Sequence, residues 1–190
     1  EKFLESFYLQ LLSNFLLPIQ EFIWGKFINM SEIIIYTDGA ARGNPGPGGY
    51  GVVLLSGHHR KELCQGYILT TNNRMELLGV IAGLEALKNP GSNVTVYSDS
   101  RYVVDAIEKG WVFTWKKKGF KKKKNPDLWL RFLEIYAKHK VKFIWVKGHA
   151  DNKENQRCDE LAVNASLGNN LLHDTGYEES MKDPEALFDE

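Results

Sequence analysis

The sequence predicts an α/β domain built on a five-stranded mixed sheet that is flanked by helices. Three short segments rich in apolar and β-branched residues come first, at 31–38, 50–55 and 61–69, and turn-forming residues separate them. This arrangement is typical of an antiparallel meander. Helical patterns then alternate with two further strand patterns, at 94–99 and 142–147. A meander that is followed by alternating helices and strands indicates a mixed sheet with helices packed against it.

The meander begins with a buried strand. The segment SEIIIYTD has a continuous β-branched run that ends at Asp38, as expected for a strand that is covered on both faces. Glycine and proline are concentrated in residues 39–49 and predict a wide turn. The segments YGVVLL and KELCQGYIL, joined by SGHHR, complete the three strands.

Four helices are expected after the meander. In the first, apolar residues recur at helical spacing: Leu77, Val80, Ile81, Leu84 and Leu87. The tripeptide at 89–91, Asn-Pro-Gly, ends this helix. Ser100 can cap a second helix that runs to about Gly110. Pro126 occupies the first position of a third, and residues 154–167 form the last.

The charge of the chain is unevenly distributed. The sequence has 190 residues, 43% of them hydrophobic, which suits one globular domain with additional tails. The net charge is zero, but residues 30–173 carry 21 basic and 14 acidic side chains, whereas residues 174–190 carry seven acids and one lysine. A basic body favours a polyanionic partner. We expect residues 171–190 to form an acidic, disordered tail.

The first 29 residues differ in composition from the rest. They are rich in Phe, Leu and Ile, but polar residues and Pro18 interrupt them, so they suit neither a membrane span nor a signal peptide. Met30 directly precedes the first strand. Residues 1–29 are therefore interpreted either as an amphipathic extension of unknown role or as translated upstream sequence.

The two cysteines place the protein in a reducing compartment. Cys64 and Cys158 form neither a disulfide framework nor a zinc-binding pattern. We expect both thiols to be reduced and buried, without a disulfide partner, in a cytoplasmic protein.

Four carboxylates lie in distinctive short phrases, and each has a simple structural interpretation. Asp38 and Asp99 end strands, where one can support a turn and the other a helix cap. Glu76, in the first turn of a helix, can be an exposed glutamate that the helix dipole favours, and Asp159 can be a solvated side chain. If the strands of Asp38 and Asp99 are adjacent and parallel, however, these two carboxylates become neighbours. Clustered carboxylates could then hold divalent cations over a phosphate backbone.

Seven phrases occur in one order along residues 31–168: TDGA, GNPGPGGYG, TTNNRMEL, YSDSRYV, WKKKGF, VKGHA and RCDELA. Together they closely resemble ribonuclease HI, the bacterial type 1 RNase H. The resemblance implies an RNase H-like fold for residues 30–170. It also implies that Asp38, Glu76, Asp99 and Asp159 are the metal-binding carboxylates. His149, in VKGHA, matches the mobile catalytic histidine of that family, which moves a proton or helps to release product.

The resemblance further implies an endonuclease that hydrolyses the RNA strand of RNA/DNA hybrids. Two Mg²⁺ ions, which Mn²⁺ can replace, would act together at its site. Asp38 would bridge them, Asp159 would complete the nucleophile side, and Glu76 with Asp99 the leaving-group side. The products would carry 5′-phosphate and 3′-hydroxyl ends, the enzyme would be a monomer, and its tasks would be removal of primers and R-loops.

Candidate substrate contacts fall into two groups. Near the minor groove and a pocket for a DNA phosphate, the resemblance places Asn44, Thr71, Asn72, Asn73 and Arg74. Leu69 departs from the pattern, because some relatives have arginine there, so the pocket is either weaker or completed by Arg42 or Arg101. Turn chemistry and helix capping by Asn72 are the competing interpretations.

The second group is a basic aromatic protrusion at residues 111–126. Its candidate contacts are Trp111, Trp115, Lys116, Lys117, Lys118, Lys121 and Lys122. Contacts of lysines with phosphates would supply affinity without base specificity. The simpler interpretation is a solvated lysine face.

Two other functions compete with hybrid cleavage. A DNA-cutting nuclease of the same fold would also use clustered carboxylates, but VKGHA, TTNNRMEL and the lysine protrusion disfavour it. A non-catalytic module that binds hybrids would be expected to have lost at least one of the four acids or His149, and all five are present.

Overall fold

The computed structural model describes residues 32–148 and 152–182. Within these ranges the chain forms one six-stranded mixed sheet and six helices. The strands are β1 (Ile33–Ala41), β2 (Gly46–Ser56), β3 (His59–Thr70), β4 (Asn93–Ser98), β5 (Lys140–Trp145) and β6 (Leu171–Leu172). The helices are α1 (Asn72–Glu85), α2 (Arg101–Glu108), α3 (Trp111–Lys117), α4 (Pro126–Tyr136), α5 (Lys153–Leu167) and α6 (Thr175–Lys182).

The strand order of the sheet is β5-β4-β1-β2-β3-β6. Strands β1, β2 and β3 form the expected antiparallel meander. Strand β4 pairs parallel with β1, and β5 pairs parallel with β4. Thr37 lies opposite Ser98 in the β1–β4 pair, so the next residues, Asp38 and Asp99, project from neighbouring strands at the same edge of the sheet. The prediction of a mixed sheet flanked by helices is confirmed.

Helices cover both faces of the sheet. At Gly51 in β2, a Cβ atom would lie 2.1 Å from the carbonyl oxygen of Cys158 in α5. At Gly83 in α1, a Cβ atom would lie 3.2 Å from a methyl group of Val52. Because successive strand residues point to opposite faces, α5 and α1 pack on opposite faces of β2. No helix in the two described ranges is long and apolar enough to cross a membrane.

The glycine-rich region is strand more than turn. The prediction of a wide turn over residues 39–49 is wrong, because β1 continues to Ala41 and β2 begins at Gly46. Gly39 and Gly49 reflect the close approach of α1 and α5 to these strands, whereas Gly43, with a φ of 87°, belongs to the short reversal between β1 and β2. Cys158 is buried as expected, whereas Cys64 is exposed, because it lies in the part of β3 whose residues mostly face solvent; both are free thiols.

The chain beyond residue 170 differs from expectation. The structure has a sixth strand, β6, which the sequence did not predict and which pairs parallel with β3. The expected disordered tail is wrong for residues 171–182, since β6 and α6 lie there. The physical reason is Asp174, which is 5% exposed and accepts hydrogen bonds from Thr70 and Arg74. Residues 183–190 of the predicted tail and residues 1–29 of the predicted extension lie outside the described residues.

Candidate active site

The site begins where β1 meets the first turn of α1. A Cβ atom at Gly39 would lie 2.3 Å from the backbone nitrogen of Glu76, so only glycine allows this approach. Thr71 is the N-cap of α1 in extended conformation, and it sets the helix so that Glu76 lies in its second turn. The Gly39 N–H donates to Oδ1 of Asp38 over 2.7 Å, which orients that carboxylate. Asp38 and Glu76 therefore face each other across a contact that glycine makes possible.

Three of the predicted carboxylates come together at this point. Asp38, Glu76 and Asp99 each offer an oxygen atom, and these three atoms lie within 4.8 Å of one another. Asp38 is 8% and Glu76 6% exposed, and Asp99 is half-buried. Oε2 of Glu76 is buried without a hydrogen-bond partner among the residues that the structure describes. An unpartnered, buried carboxylate oxygen is costly, and a bound cation would compensate it.

The electrostatics of the cluster favour protons or cations. Burial, reinforced by the charges of Asp99 and Asp159, raises the pKa of Asp38 from 3.8 to about 7, although the Gly39 N–H opposes this. Burial also raises the pKa of Glu76 well above its usual value, and the charges of Asp38 and Asp99 add to the effect. Hard divalent cations such as Mg²⁺ prefer carboxylate oxygens. The residues present therefore fit a divalent metal site.

The other two predicted catalytic residues have different positions relative to this cluster. Asp159 is half-buried on α5 and lies outside the set of three, but its charge contributes to the raised pKa of Asp38. Asn152 caps α5 by accepting hydrogen bonds from the N–H groups of Glu154 and Asn155. This cap fixes the start of the helix that carries Asp159. His149 lies outside the described residues.

Comparisons with known proteins agree with this geometry. The RNase H family model matches residues 30–167. A ribonuclease H from Syntrophus aciditrophicus is 60% identical over 151 residues, covering 77% of this chain and 87% of the relative. A ribonuclease HI from Synechocystis is 54% identical over 153 residues, covering 77% of this chain and 95% of the relative. The chain belongs to the RNase H family.

Solved structures of RNase H proteins share the fold. LC11-RNase H1, solved in complex with an RNA/DNA hybrid, superposes with a TM-score of 0.52 at 31% identity, covering 71% of this chain and 96% of that one. RNase H proteins depend on metal ions, and the cluster of Asp38, Glu76 and Asp99 is the part of this chain that suits such ions.

This RNase H chain has a pocket that several predicted substrate contacts line. The pocket has a volume of about 550 Å³, and Asn44, Thr71 and Asn73 are among its lining residues. Oδ1 of Asn44 accepts a hydrogen bond from the Asn72 N–H over 3.2 Å. The side-chain amide of Asn72 donates to Oε1 of Glu76 over 3.4 Å. Asn72 is not the helix cap. Its backbone N–H contacts a pocket residue and its side chain contacts the carboxylate cluster, so Asn72 connects the two.

Arg74 differs from the other predicted contacts. Its side chain is 2% exposed, and Nε and Nη2 donate to the two carboxylate oxygens of Asp174 over 2.7 Å each. Nη1 and Nη2 also donate to Asp127 over 2.9 and 2.6 Å. Because this guanidinium is engaged on both sides by carboxylates, we correct its assignment from a substrate contact to an internal ion pair.

The protrusion combines exposed lysines with anchored aromatic rings. Its predicted lysine contacts are all exposed: Lys116, Lys117, Lys118, Lys121 and Lys122. Trp111 is 46% exposed, whereas Trp115 packs edge-on against buried Trp129, with ring centroids 5.8 Å apart. Phe120, 7% exposed at a φ of 56°, fixes the turn after α3. Trp115 thus anchors the protrusion, and Trp111 with the lysines faces solvent.

Three residues at or beside this site were missed by sequence reasoning. Asp127 and Asp174 hold Arg74, and Trp145 donates its indole N–H to the carbonyl oxygen of Asp99 over 2.9 Å. Asp127 was visible as the acid after Pro126 in a helix start. Asp174 carried no signal, because it begins an acidic segment whose composition is typical of disorder.

Proposed function

We propose that this protein is a metal-dependent ribonuclease H that hydrolyses the RNA strand of RNA/DNA hybrids internally. The observation that carries the proposal is the cluster of Asp38, Glu76 and Asp99, whose ligand atoms lie within 4.8 Å of one another, in a chain that matches the RNase H family over residues 30–167. The hybrid bound by LC11-RNase H1 supports the substrate.

The residues that would hold the metal are Asp38, Glu76, Asp99 and Asp159. We propose Mg²⁺ as the cofactor, with Mn²⁺ able to substitute, because both prefer carboxylate oxygens. When bound, a pair of such ions activates water and stabilises the leaving oxygen of a phosphodiester. The products would carry 5′-phosphate and 3′-hydroxyl ends.

The protein's own residues have distinct tasks in this proposal. Asp38 is oriented by the Gly39 N–H and experiences the charges of both Asp99 and Asp159, so it would help to hold both ions. Asp159 would orient groups on the attacking side, and Glu76 with Asp99 those on the leaving side. His149 would move a proton or help product leave. The chemistry of the side chains and the resemblance of their sequence motifs to those of ribonuclease HI support these assignments.

Substrate recognition would rest on two surfaces. The pocket lined by Asn44, Thr71 and Asn73 presents amide and hydroxyl groups suited to a phosphate and to ribose 2′-hydroxyls. Arg101, 59% exposed, and the lysines of the protrusion would contact the backbone without reading the bases. We propose that the enzyme acts as a cytoplasmic monomer in the removal of primers and R-loops.

A single cleavage assay separates this function from its rivals. A hybrid with labelled RNA, the same sequence as DNA duplex, and single-stranded RNA are each incubated with protein and MgCl₂. Mg²⁺-dependent cleavage of the hybrid alone is expected. Cleavage of duplex DNA would indicate a DNA-cutting nuclease, and tight hybrid binding without cleavage in Mg²⁺ or Mn²⁺ would indicate a binding module.

Two variants on one helix test the site itself. Asp159→Asn removes a proposed metal ligand, so cleavage should be lost. Glu160→Gln neutralises the adjacent acid, which is 61% exposed and pairs with Arg157, so cleavage should be retained. Equal activity of both variants would contradict the role of Asp159.

A further inference from the structure

The chain that leaves β5 runs beside the turn that carries Asp99. β4 and β5 are parallel, and Trp145 lies opposite Ser98. The Val146 N–H donates to the carbonyl oxygen of Ser98 over 3.0 Å, which extends the pairing one residue beyond the sheet. Residues 145–148 therefore accompany the backbone as it turns from β4 into α2.

Trp145 holds the backbone of Asp99 through a side-chain hydrogen bond. Its indole N–H donates to the Asp99 carbonyl oxygen over 2.9 Å. Asp99 lies between the last residue of β4 and the N-cap of α2, where regular pairing ends. The guanidinium of Arg101 lies 3.6 Å from the centre of the Trp145 ring. This cation–π contact covers one face of the indole and favours the orientation that makes the hydrogen bond.

Gly148 contacts the other end of the same residue. A Cβ atom at position 148 would lie 2.5 Å from Oδ2 of Asp99 and 3.5 Å from its Cγ. The backbone at Gly148 thus lies directly against the carboxylate. Asp99 is touched at its carbonyl by Trp145 and at its carboxylate by Gly148.

Asp99 needs such support more than its neighbours do. Asp38 and Glu76 are 8% and 6% exposed, so the surrounding protein restricts their rotamers. Asp99 is half-buried, and a half-buried aspartate at the end of a strand has more rotational freedom. A ligand that must meet a metal ion in fixed geometry loses affinity when it is free to rotate.

We propose that residues 145–148 form a brace that positions the Asp99 carboxylate for metal binding, with Trp145 as the positioning residue. The inference rests on the proposed function, because the metal ion is the reason for fixing Asp99. The brace directly precedes His149 in the sequence.

Trp145→Phe tests the brace, because it removes the N–H donor and keeps an aromatic ring for Arg101. Mg²⁺ is titrated into ¹⁵N-labelled protein without substrate, and the amide signals of Gly39 and Ser100 are followed by NMR. The half-saturating Mg²⁺ concentration should rise about fivefold, the effect of one ordinary hydrogen bond. In hybrid cleavage, kcat should recover at high Mg²⁺ while KM for the hybrid is unchanged.

Trp129→Phe is the matched control. It also removes an indole N–H donor, but one in the buried core, where it donates to the Tyr102 hydroxyl over 2.8 Å. Its Tm should fall while its Mg²⁺ titration matches wild type. A purely structural loss would move Tm in both variants and the Mg²⁺ titration in neither.

Gly148→Ala provides an independent variant. Its new methyl group must displace the Asp99 carboxylate, so Mg²⁺ affinity should fall at least as far as in Trp145→Phe. Wild-type Mg²⁺ affinity in both variants, in a protein that binds Mg²⁺ and cleaves hybrids, overturns the brace alone. A wild-type protein that neither binds Mg²⁺ nor cleaves hybrids overturns the proposed function and the brace together.

Discussion

Arg74 and Glu76 lie two residues apart on α1, and both are almost fully buried, but their electrostatic surroundings are opposite. Arg74 is met by two carboxylates, Asp127 and Asp174, in good hydrogen-bond geometry. Glu76 is met by two charges of its own sign, Asp38 and Asp99, and its Oε2 has no hydrogen-bond partner within residues 32–148 and 152–182. The carboxylates around Arg74 stabilise the fold, whereas the like charges around Glu76 destabilise it unless a cation is bound. Two residues on one helix thus belong to a structural ion pair and to a carboxylate cluster that is proposed to be functional.

The largest expected effect is the loss of cleavage in Asp38→Asn. A proposed metal ligand is removed, so hybrid cleavage should fall by several orders of magnitude. The metal-free protein should nevertheless unfold at the same or a higher temperature than wild type, because repulsion with Asp99 and Glu76 is relieved. Glu134→Gln, an exposed acid on α4, is the control and should change neither quantity. A clear loss of thermal stability in metal-free Asp38→Asn would contradict the repulsion.

For the Arg74 ion pair we expect the reverse outcome, a loss of stability without a loss of metal binding. Asp174→Ala leaves a buried guanidinium with Asp127 as its remaining carboxylate partner in the described chain, and it removes the anchor of α6. We expect a loss of about 3 kcal/mol in the free energy of unfolding, measured by urea denaturation, with the Mg²⁺ titration unchanged.

The exposed pair of Arg131 and Glu85 provides the control for that loss. Its side chains are 50% and 38% exposed, and Arg131→Gln should cost less than about 1 kcal/mol. Equal losses in Asp174→Ala and Arg131→Gln would show that burial of the Arg74 pair adds nothing.

The pH dependence of stability offers a third test of the carboxylate cluster. The pKa of Asp38 rises from 3.8 to about 7 on folding, so the folded protein binds a proton more tightly than the unfolded chain. Stability from this group is therefore present at about pH 4 and is lost as the pH rises to about 7. Without metal, the free energy of unfolding should fall by roughly 2–4 kcal/mol over that range.

Urea denaturation in EDTA at several pH values measures this slope. Asp38→Asn should flatten it, and Mg²⁺ should restore stability at neutral pH. The same pH dependence of stability in wild type and in Asp38→Asn would contradict the raised pKa.

The carboxylate cluster was more predictable from sequence than the ion pair, and the reason is topological. Asp38 and Asp99 each end a strand pattern in the sequence, and in the structure they follow Thr37 and Ser98, the last pair of the parallel β1–β4 ladder. Arg74 and Asp174 are 100 residues apart, and no local pattern links an arginine in a helix start to an acid in a segment of disordered composition. Such a pair becomes visible only when the chain is folded.

The glycines illustrate a second limit of sequence reasoning. Glycine in residues 39–49 predicts a turn, because local propensity reports chain flexibility. In the structure, Gly39, Gly49 and Gly51 are strand residues that allow helices to approach closely. Glycine occurs both in turns and at close packing contacts, so its presence in the sequence does not distinguish the two. The positions of the surrounding helices do.

The smallest expected effect is the energetic coupling between the Arg74 ion pair and the carboxylate cluster. The charges that act most strongly on Glu76 are those of Asp38 and Asp99, whereas Arg74 is matched by its own carboxylates. The double variant Asp38→Asn/Asp174→Ala should therefore unfold with the sum of the two single changes, within about 0.5 kcal/mol. Urea denaturation of all four proteins in EDTA at one pH measures this difference. A coupling well above that value would mean that α1 transmits strain between its structural and functional ends, and that anchoring α6 contributes to the geometry of the metal site.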